Sequence, residues 1–153
     1  MWPLIVLLFG VSCQPQSMAP QSFLVTSSRN AEEVYLYAYG TPDGRVFDYT
    51  VPKAAFGKLP AWEVEKDPPP FAVARALEIA EKTSRGEHPE ITEFMPANIS
   101  LQRVGYDKQT RWFYVINMYP VTNGEPSVYS QVTAVVLMDG TAVKPRERSK
   151  PKL

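Results

Sequence analysis

The sequence has few of the residues from which metal, redox and disulfide sites are built. Its 153 residues include one cysteine, Cys13, and one histidine, His88. A lone cysteine excludes an intrachain disulfide, so the fold must rest on its hydrophobic core. Zinc sites need three or four converging ligands, whereas the segment GEHPE offers one imidazole beside Glu87 and Glu90. We therefore expect no metal site, no cofactor and a histidine at the surface.

Catalytic and phosphate-binding motifs are also missing. The chain contains no GxSxG, no glycine-rich phosphate loop and no HExxH, so we expect a protein without enzymatic activity. One enzymatic alternative rests on Asp48, which would act with a tyrosine as acid and base in a pocket between helix and sheet. A solvent-facing Asp48 is favoured, because Phe47, Tyr49 and Val51 form the natural core face of that strand.

The apolar run over residues 2–11 is too short to span a bilayer, which takes about 20 residues. It has the length of the apolar region of a signal peptide, and Ser12 and Cys13 follow it. Through the segment FGVSC the chain resembles bacterial lipoprotein precursors, which are cut before a cysteine that is then acylated. The resemblance implies a signal peptide over 1–12, a lipidated Cys13 and export to a bacterial membrane, facing the periplasm or the exterior.

Residues 13–30 begin with a stretch rich in Pro, Gln and Ser, which is typical of a flexible tether. An alternative is an ordinary secretory signal with Ser17 and Ala19 before its cleavage site, which would release a soluble secreted protein.

Charge is balanced overall, with 16 basic and 16 acidic residues, but the C-terminal segment is basic. Its composition predicts a disordered tail over 146–153. Nucleic acid is not an expected partner, because no aromatic residues interleave these charges. The alternative is contact with an anionic lipid surface or wall polymer through basic residues at every second position: Lys144, Arg146, Arg148, Lys150 and Lys152.

Between tether and tail, residues 31–145 predict one domain. Residues 31–52 indicate a hairpin that turns at Thr41-Pro42-Asp43-Gly44. A proline-rich connection then leads to a helix over 70–84, whose core face carries Ala72, Val73, Ala76, Leu77, Ile79 and Ala80. Strands follow over 99–106, 111–119, 128–138 and 141–143, with turns at 107–110, 123–126 and Asp139-Gly140.

The predicted fold class is α+β. One amphipathic helix is expected to pack across a curved antiparallel sheet of about four to six strands, in the order hairpin, helix, meander. Over 71–145 the chain resembles small exported PepSY-like and cystatin-like domains, through the segments FAVARALEIAEK, RWFYVINMYP and VVLMDGTAVKP. The resemblance implies a similar fold and a role in modulating peptidases.

Strand 111–119 is apolar on both faces, while one helix covers only one. The second face is either capped by the proline-rich loop with Trp62 or exposed as a binding or dimer surface.

We expect a non-catalytic binding module of the cell envelope, whose partner is another envelope protein, a wall polymer or a second copy. A scaffold held by the basic tail is an alternative. The candidate binding surface comprises Tyr35, Tyr37, Tyr39, Trp112 and Tyr114.

Overall fold

A computed structural model describes residues 32–106 and 108–148, and it confirms the α+β class. The predictions for the signal peptide, Cys13, the tether, Lys150 and Lys152 lie outside these residues. The elements run in chain order as β1 (Glu33–Gly40), β2 (Val46–Pro52), α1 (Lys53–Lys58), α2 (Val73–Glu87), β3 (Glu93–Tyr106), β4 (Gln109–Thr122), β5 (Glu125–Pro126), β6 (Val132–Leu137), β7 (Ala142–Val143) and β8 (Arg146–Glu147).

The turns at Thr41-Pro42-Asp43-Gly44 and Asn123-Gly124 form where their sequences predict them. Between β1 and β2, the Thr41 amide donates to the Arg45 carbonyl over 2.9 Å, and Gly44 adopts a φ of +79°. The Asp43 carboxylate accepts bonds from the Thr41 hydroxyl and from Arg45, and these bonds lower its pKa. Asn123 and Gly124 both have positive φ, 55° and 81°, as a two-residue hairpin turn requires.

The expectation of a single sheet is wrong, because the strands form two. A small antiparallel sheet has the order β1-β2-β8, and a large one has the order β3-β4-β6-β7, with β5 on β4. One apolar cluster joins the two sheets face to face: Val34, Leu36, Tyr49, Val51, Phe56 and Leu59 meet Phe113, Val115, Val135, Leu137 and Val143. The small sheet thus covers the second apolar face of β4.

Helix α2 forms a third layer on the opposite face of the large sheet. It packs against β6, β4 and β7, and its cluster with the sheet includes Ala76, Ala80, Ile116 and Val136. The buried stripe is narrower than predicted: Ala76, Ala80 and Ser84 are buried, Leu77 and Ile79 are half-buried, and Ala72 and Val73 are exposed. Small side chains let the helix axis approach the sheet closely, so the flanking positions remain at the rim.

A short helix, α1, lies in the stretch predicted as a loop. It follows Pro52 directly and buries Phe56, whose ring meets Tyr106 edge-on with centroids 6.1 Å apart. The proline-rich connection with Trp62 therefore begins only after α1.

A β-bulge in β1 changes the faces of the tyrosines. The register shifts between Tyr35 and Tyr37, leaving Leu36 as the extra residue. Tyr37 then lies opposite Tyr49, and Tyr39 stacks on Phe47 with ring centroids 5.2 Å apart. The candidate binding surface requires Tyr35, Tyr37 and Tyr39 on one face of β1, but only Tyr35 faces away from the core.

The predicted start of the disordered tail is also wrong. Arg146 and Glu147 pair with Asp48 and Phe47 as strand β8, and the Arg148 amide donates to the Val46 carbonyl over 2.7 Å. The ordered domain therefore extends at least to Arg148, three residues beyond the predicted boundary at 145.

Candidate binding site

The five aromatic residues predicted as a binding surface do not come together. Tyr37 and Tyr39 pack on the core between the sheets. Tyr114 is buried under α2, where its hydroxyl donates to the Phe71 carbonyl over 2.7 Å and burial raises its pKa. Tyr35 is 38% exposed but lies on the outer face of the small sheet, and Trp112 is half-buried on the α2 side of the large sheet. The predicted aromatic face is therefore not formed.

Asp48 lies on the outer face of the small sheet, as its alternation with Phe47 and Tyr49 predicts. There Arg148 Nε donates to Asp48 Oδ2 over 3.0 Å, and a second guanidinium nitrogen reaches the other carboxylate oxygen. This hydrogen bonding raises the pKa of Arg148, while burial, and next the Asp48 charge, raises the pKa of Tyr35. Because the large sheet separates this face from α2, Asp48 does not line a pocket between helix and sheet.

Two of the five basic residues predicted to contact an anionic surface are engaged within the domain. Arg148 is paired with Asp48, and Arg146 Nη1 lies 2.8 Å from Glu33 Oε1. Lys144 is exposed.

Exposed aliphatic side chains lie along β3, which forms one edge of the large sheet. In the part of the chain that the structure describes, no strand pairs with its outer side. Its register places Ile99 opposite Ile116 and Leu101 opposite Tyr114, on the face that carries α2. Ile99 and Leu101 are each 37% exposed, whereas Ile116 is fully buried. This difference in exposure arises because α2 packs on β4, β6 and β7, so that the helix does not cover Ile99 and Leu101 of β3.

A tryptophan pair continues this face toward the β3–β4 turn. Trp112 lies opposite Arg103 in the register, and the Arg103 guanidinium sits 5.9 Å from the centroid of its ring. Trp62 meets Trp112 edge-on at 5.3 Å and donates from Nε1 to the Asp67 carbonyl over 2.7 Å. The proline-rich loop thus caps Trp112 on the α2 side. The second face of the strand, for which the sequence left either this loop or exposure open, is covered by the small sheet instead.

Together Ile99, Leu101, Arg103, Trp62 and Trp112 form a partly exposed surface, termed here the β3 ledge. Sequence reasoning singled out Trp62 and Trp112 but missed the three β3 residues, although the alternation of Ile99, Leu101 and Arg103 with Ser100 and Gln102 is present in the sequence. Alternation predicts which side chains share a face; it does not predict how far a helix covers that face.

The described residues hold no group of three or more His, Cys, Asp or Glu side chains that would bind a metal ion. His88 lies at the end of α2, with Nδ1 3.6 Å from Glu90 Oε1. Within 32–106 and 108–148, no helix is long and apolar enough to cross a membrane.

No protein-family model, curated protein or solved structure matches the chain. The resemblances to lipoprotein precursors and to PepSY-like and cystatin-like domains therefore stay predictions.

Proposed function

We propose that the protein is a non-catalytic binding module of the cell envelope that captures an extended segment of another envelope protein by strand addition at β3. The observation that carries the proposal is the outer edge of β3, which has no pairing strand in the described chain and is lined by Ile99 and Leu101. An edge strand offers unpaired amide and carbonyl groups, and pockets beside alternate side chains provide selectivity.

The second half of β3 is the open part of the edge. Proteins protect edge strands with proline, bulges and charges, and the first half of β3 has Pro96 and a register shift between Pro96 and Asn98. From residue 98 to 106 there is no proline and one charge, Arg103. An added strand would therefore pair along residues 98–106.

The chemistry of the β3 ledge defines the segment it would take. A strand added beside β3 places every second side chain next to Ile99 and Leu101, where apolar residues gain the most from burial. Arg103 is exposed and lies over the Trp112 ring, so a carboxylate at the matching position of the ligand is favoured. The expected ligand is an extended segment with alternating apolar residues and one acidic residue.

Lipidation of Cys13 would place this domain at a membrane. If residues 13–30 form the tether, a flexible segment of that length spans about 20–25 Å on average, which keeps the β3 ledge near other envelope proteins. In a bacterial host, radiolabelled palmitate is expected to enter the wild-type chain and not Cys13→Ala. Equal labelling of both would end the lipid-anchor proposal and leave β3 binding untouched.

The binding proposal is tested by site-specific cross-linking in intact envelopes. A photoreactive residue at position 101 is expected to yield a discrete adduct with one extended peptide, identified by mass spectrometry. The control position is Tyr129, which is 88% exposed and lies outside the β-strands. The same adducts from both positions would contradict the proposal.

Strand addition also has a signature in hydrogen exchange. With the cross-linked peptide supplied in synthetic form, every second amide of residues 98–106 is expected to exchange more slowly, because only alternate amides point to the outer edge. Leu101→Lys should abolish this protection, while Val128→Lys, at another exposed apolar position, should retain it. Protection outside β3 with none in 98–106 would contradict the proposal.

A further inference from the structure

The face of the large sheet that meets the small sheet changes from apolar to polar along β4. Phe113 and Val115 belong to the cluster that joins the two sheets, whereas the next residue on that face is Asn117. In the register, Asn117 lies between Asn98 of β3 and Thr133 of β6. Because directly paired residues share a face, these three polar side chains form a row across three strands.

Asn117 has two hydrogen-bond donors that the fold does not use. Its Oδ1 accepts a bond from the Thr133 hydroxyl over 2.9 Å, and the Thr133 carbonyl accepts one from the Tyr49 hydroxyl. Within residues 32–106 and 108–148, the Asn117 Nδ2 atom, which carries two N–H groups, donates to no other group. The bond from Thr133 therefore fixes a half-buried amide whose donors remain unpaired.

Four aromatic rings of the small sheet lie at the same end of the space between the sheets, and we term them the tyrosine platform: Tyr37, Tyr49, Tyr39 and Phe47. Successive rings in this order have centroids 6.4, 6.1 and 5.2 Å apart and planes inclined by 43°, 31° and 15°. Tyr49 is fully buried, but the other three are half-buried. In the described part of the chain, the hydroxyls of Tyr37 and Tyr39 form no hydrogen bond.

The charges beside the platform favour a neutral ligand. The Arg45 guanidinium sits 5.5 Å from the centroid of Phe47, so the position for a cation on that ring is already filled. Cages that bind cations also surround them with ring faces, whereas these rings pack on one another. Burial, and next the Glu87 charge, raises the pKa of Tyr39, so a negatively charged ligand would be repelled there.

We propose that the tyrosine platform and Asn117 bind a pyranose ring of a neutral oligosaccharide. A pyranose has apolar C–H faces, which pack on aromatic rings, and tyrosine adds a polar tip to that apolar area. Its hydroxyls both donate and accept, so they match the Asn117 amide and the two tyrosine hydroxyls. A few polar groups converging on an apolar surface are typical of small-molecule sites. The proposal is independent of strand addition at β3, because the β3 ledge lies on the opposite face of the large sheet.

NMR titration of the isotope-labelled full chain tests the proposal. The probes are three neutral trisaccharides that differ in linkage and substituents: maltotriose, cellotriose and N,N′,N″-triacetylchitotriose. At least one is expected to shift the side-chain amide signals of Asn117 at millimolar concentrations, and the titration gives its Kd. Unchanged Asn117 signals with all three would overturn the proposal.

Variants then assign the binding to this site. Tyr39→Ala should weaken the binding of that trisaccharide at least about tenfold, as loss of an aromatic anchor does. Tyr35→Ala, in the same strand but on its opposite face, is the matched control and should leave the Kd unchanged. Equal affinities of these two variants would contradict the proposal.

A second variant tests the amide without removing a ring. Asn117→Asp keeps an oxygen to accept the bond from Thr133 but loses both N–H donors, and it should weaken binding about tenfold. Thermal unfolding shows whether each variant is folded, and the Asn117 variant decides the outcome if Tyr39→Ala does not fold. Wild-type affinity in folded Asn117→Asp would overturn the proposal.

Discussion

The two longest strands have the same length but very different surroundings. Strands β3 and β4 each contain 14 residues and pair with one another along most of that length. Residues 113–116 of β4 are buried in succession, because the small sheet covers one face and α2 the other. Strand β3 shares the sheet, but only Phe94 near its start is buried with α2, while Ile99 and Leu101 remain 37% exposed. Burial here is decided by the covering layer.

The largest expected effect compares two isoleucines that face each other. Ile99 and Ile116 are cross-strand partners on one face, but Ile116 is fully buried while Ile99 is 37% exposed. Ile116→Ala should lower the free energy of unfolding by about 2–5 kcal/mol, and Ile99→Ala by about 1 kcal/mol or less. Equal shifts of the denaturation midpoint would show that β3 is covered as fully as β4.

Two glycines extend the comparison to hairpin turns. Gly124 and Gly140 both have positive φ, but a Cβ at Gly124 would meet open space, whereas one at Gly140 would lie 2.9 Å from Phe71 Cε2. Gly124→Ala should cost about 1–2 kcal/mol for the left-handed conformation. Gly140→Ala should cost about 1 kcal/mol more, because the Phe71 ring must move. Chemical denaturation of the two variants measures the difference, and equal costs would contradict the packing of Phe71 on this turn.

The burial of Tyr49 between the two sheets can be tested by measuring stability against pH. Burial raises the pKa of Tyr49 well above its ordinary value of 10.0, and its hydroxyl donates to the Thr133 carbonyl. A raised native pKa stabilises the fold below pH 10, and this stabilisation is lost as the pH rises above 10. Tyr49→Phe should therefore reduce the alkaline loss of stability.

At neutral pH, Tyr49→Phe should cost about 1 kcal/mol for the lost hydrogen bond. Denaturation midpoints against pH measure both effects. Tyr129→Phe is the control at an exposed phenol, and identical alkaline slopes for wild type and Tyr49→Phe would show that Tyr49 is not buried.

The smallest effect is expected on the outer side of α2. Glu78 pairs with Arg75 over 2.8 Å at an exposed i,i+3 spacing. Glu78→Ala should change the unfolding free energy by about 0.5 kcal/mol or less, as thermal unfolding can measure. A larger loss would place this side of the helix against a covering layer of its own.

Local chemistry predicted the local elements. The first hairpin, the main helix and the turns at Asn123-Gly124 and Asp139-Gly140 follow from residues within a few positions of one another. The bulge at Leu36 could not be read in this way. Residues 34–39 are all aliphatic or aromatic, so either phase of alternation fits them, and only docking of the small sheet on β4 selects between the two.

The candidate site, like the bulge, is determined by the packing of elements that are distant in the sequence. Ile99 and Leu101 are apolar residues of a predicted strand, and their exposure results from where α2 lies across the large sheet. The sequence around strand β8 does not predict a strand, because proline-rich, basic segments are typical of disordered termini. The carboxylates that bind its arginines lie far away in the sequence.

Strand β8 also bears on the order of folding. The bond between Arg148 and Asp48 joins residues 100 positions apart, and closing a loop of that length is entropically costly. The hairpins β1–β2 and β3–β4 close loops of a few residues, so we expect them to form first. The small sheet gains its third strand only after the rest of the domain has been synthesised. Until then the chain has no complete small sheet.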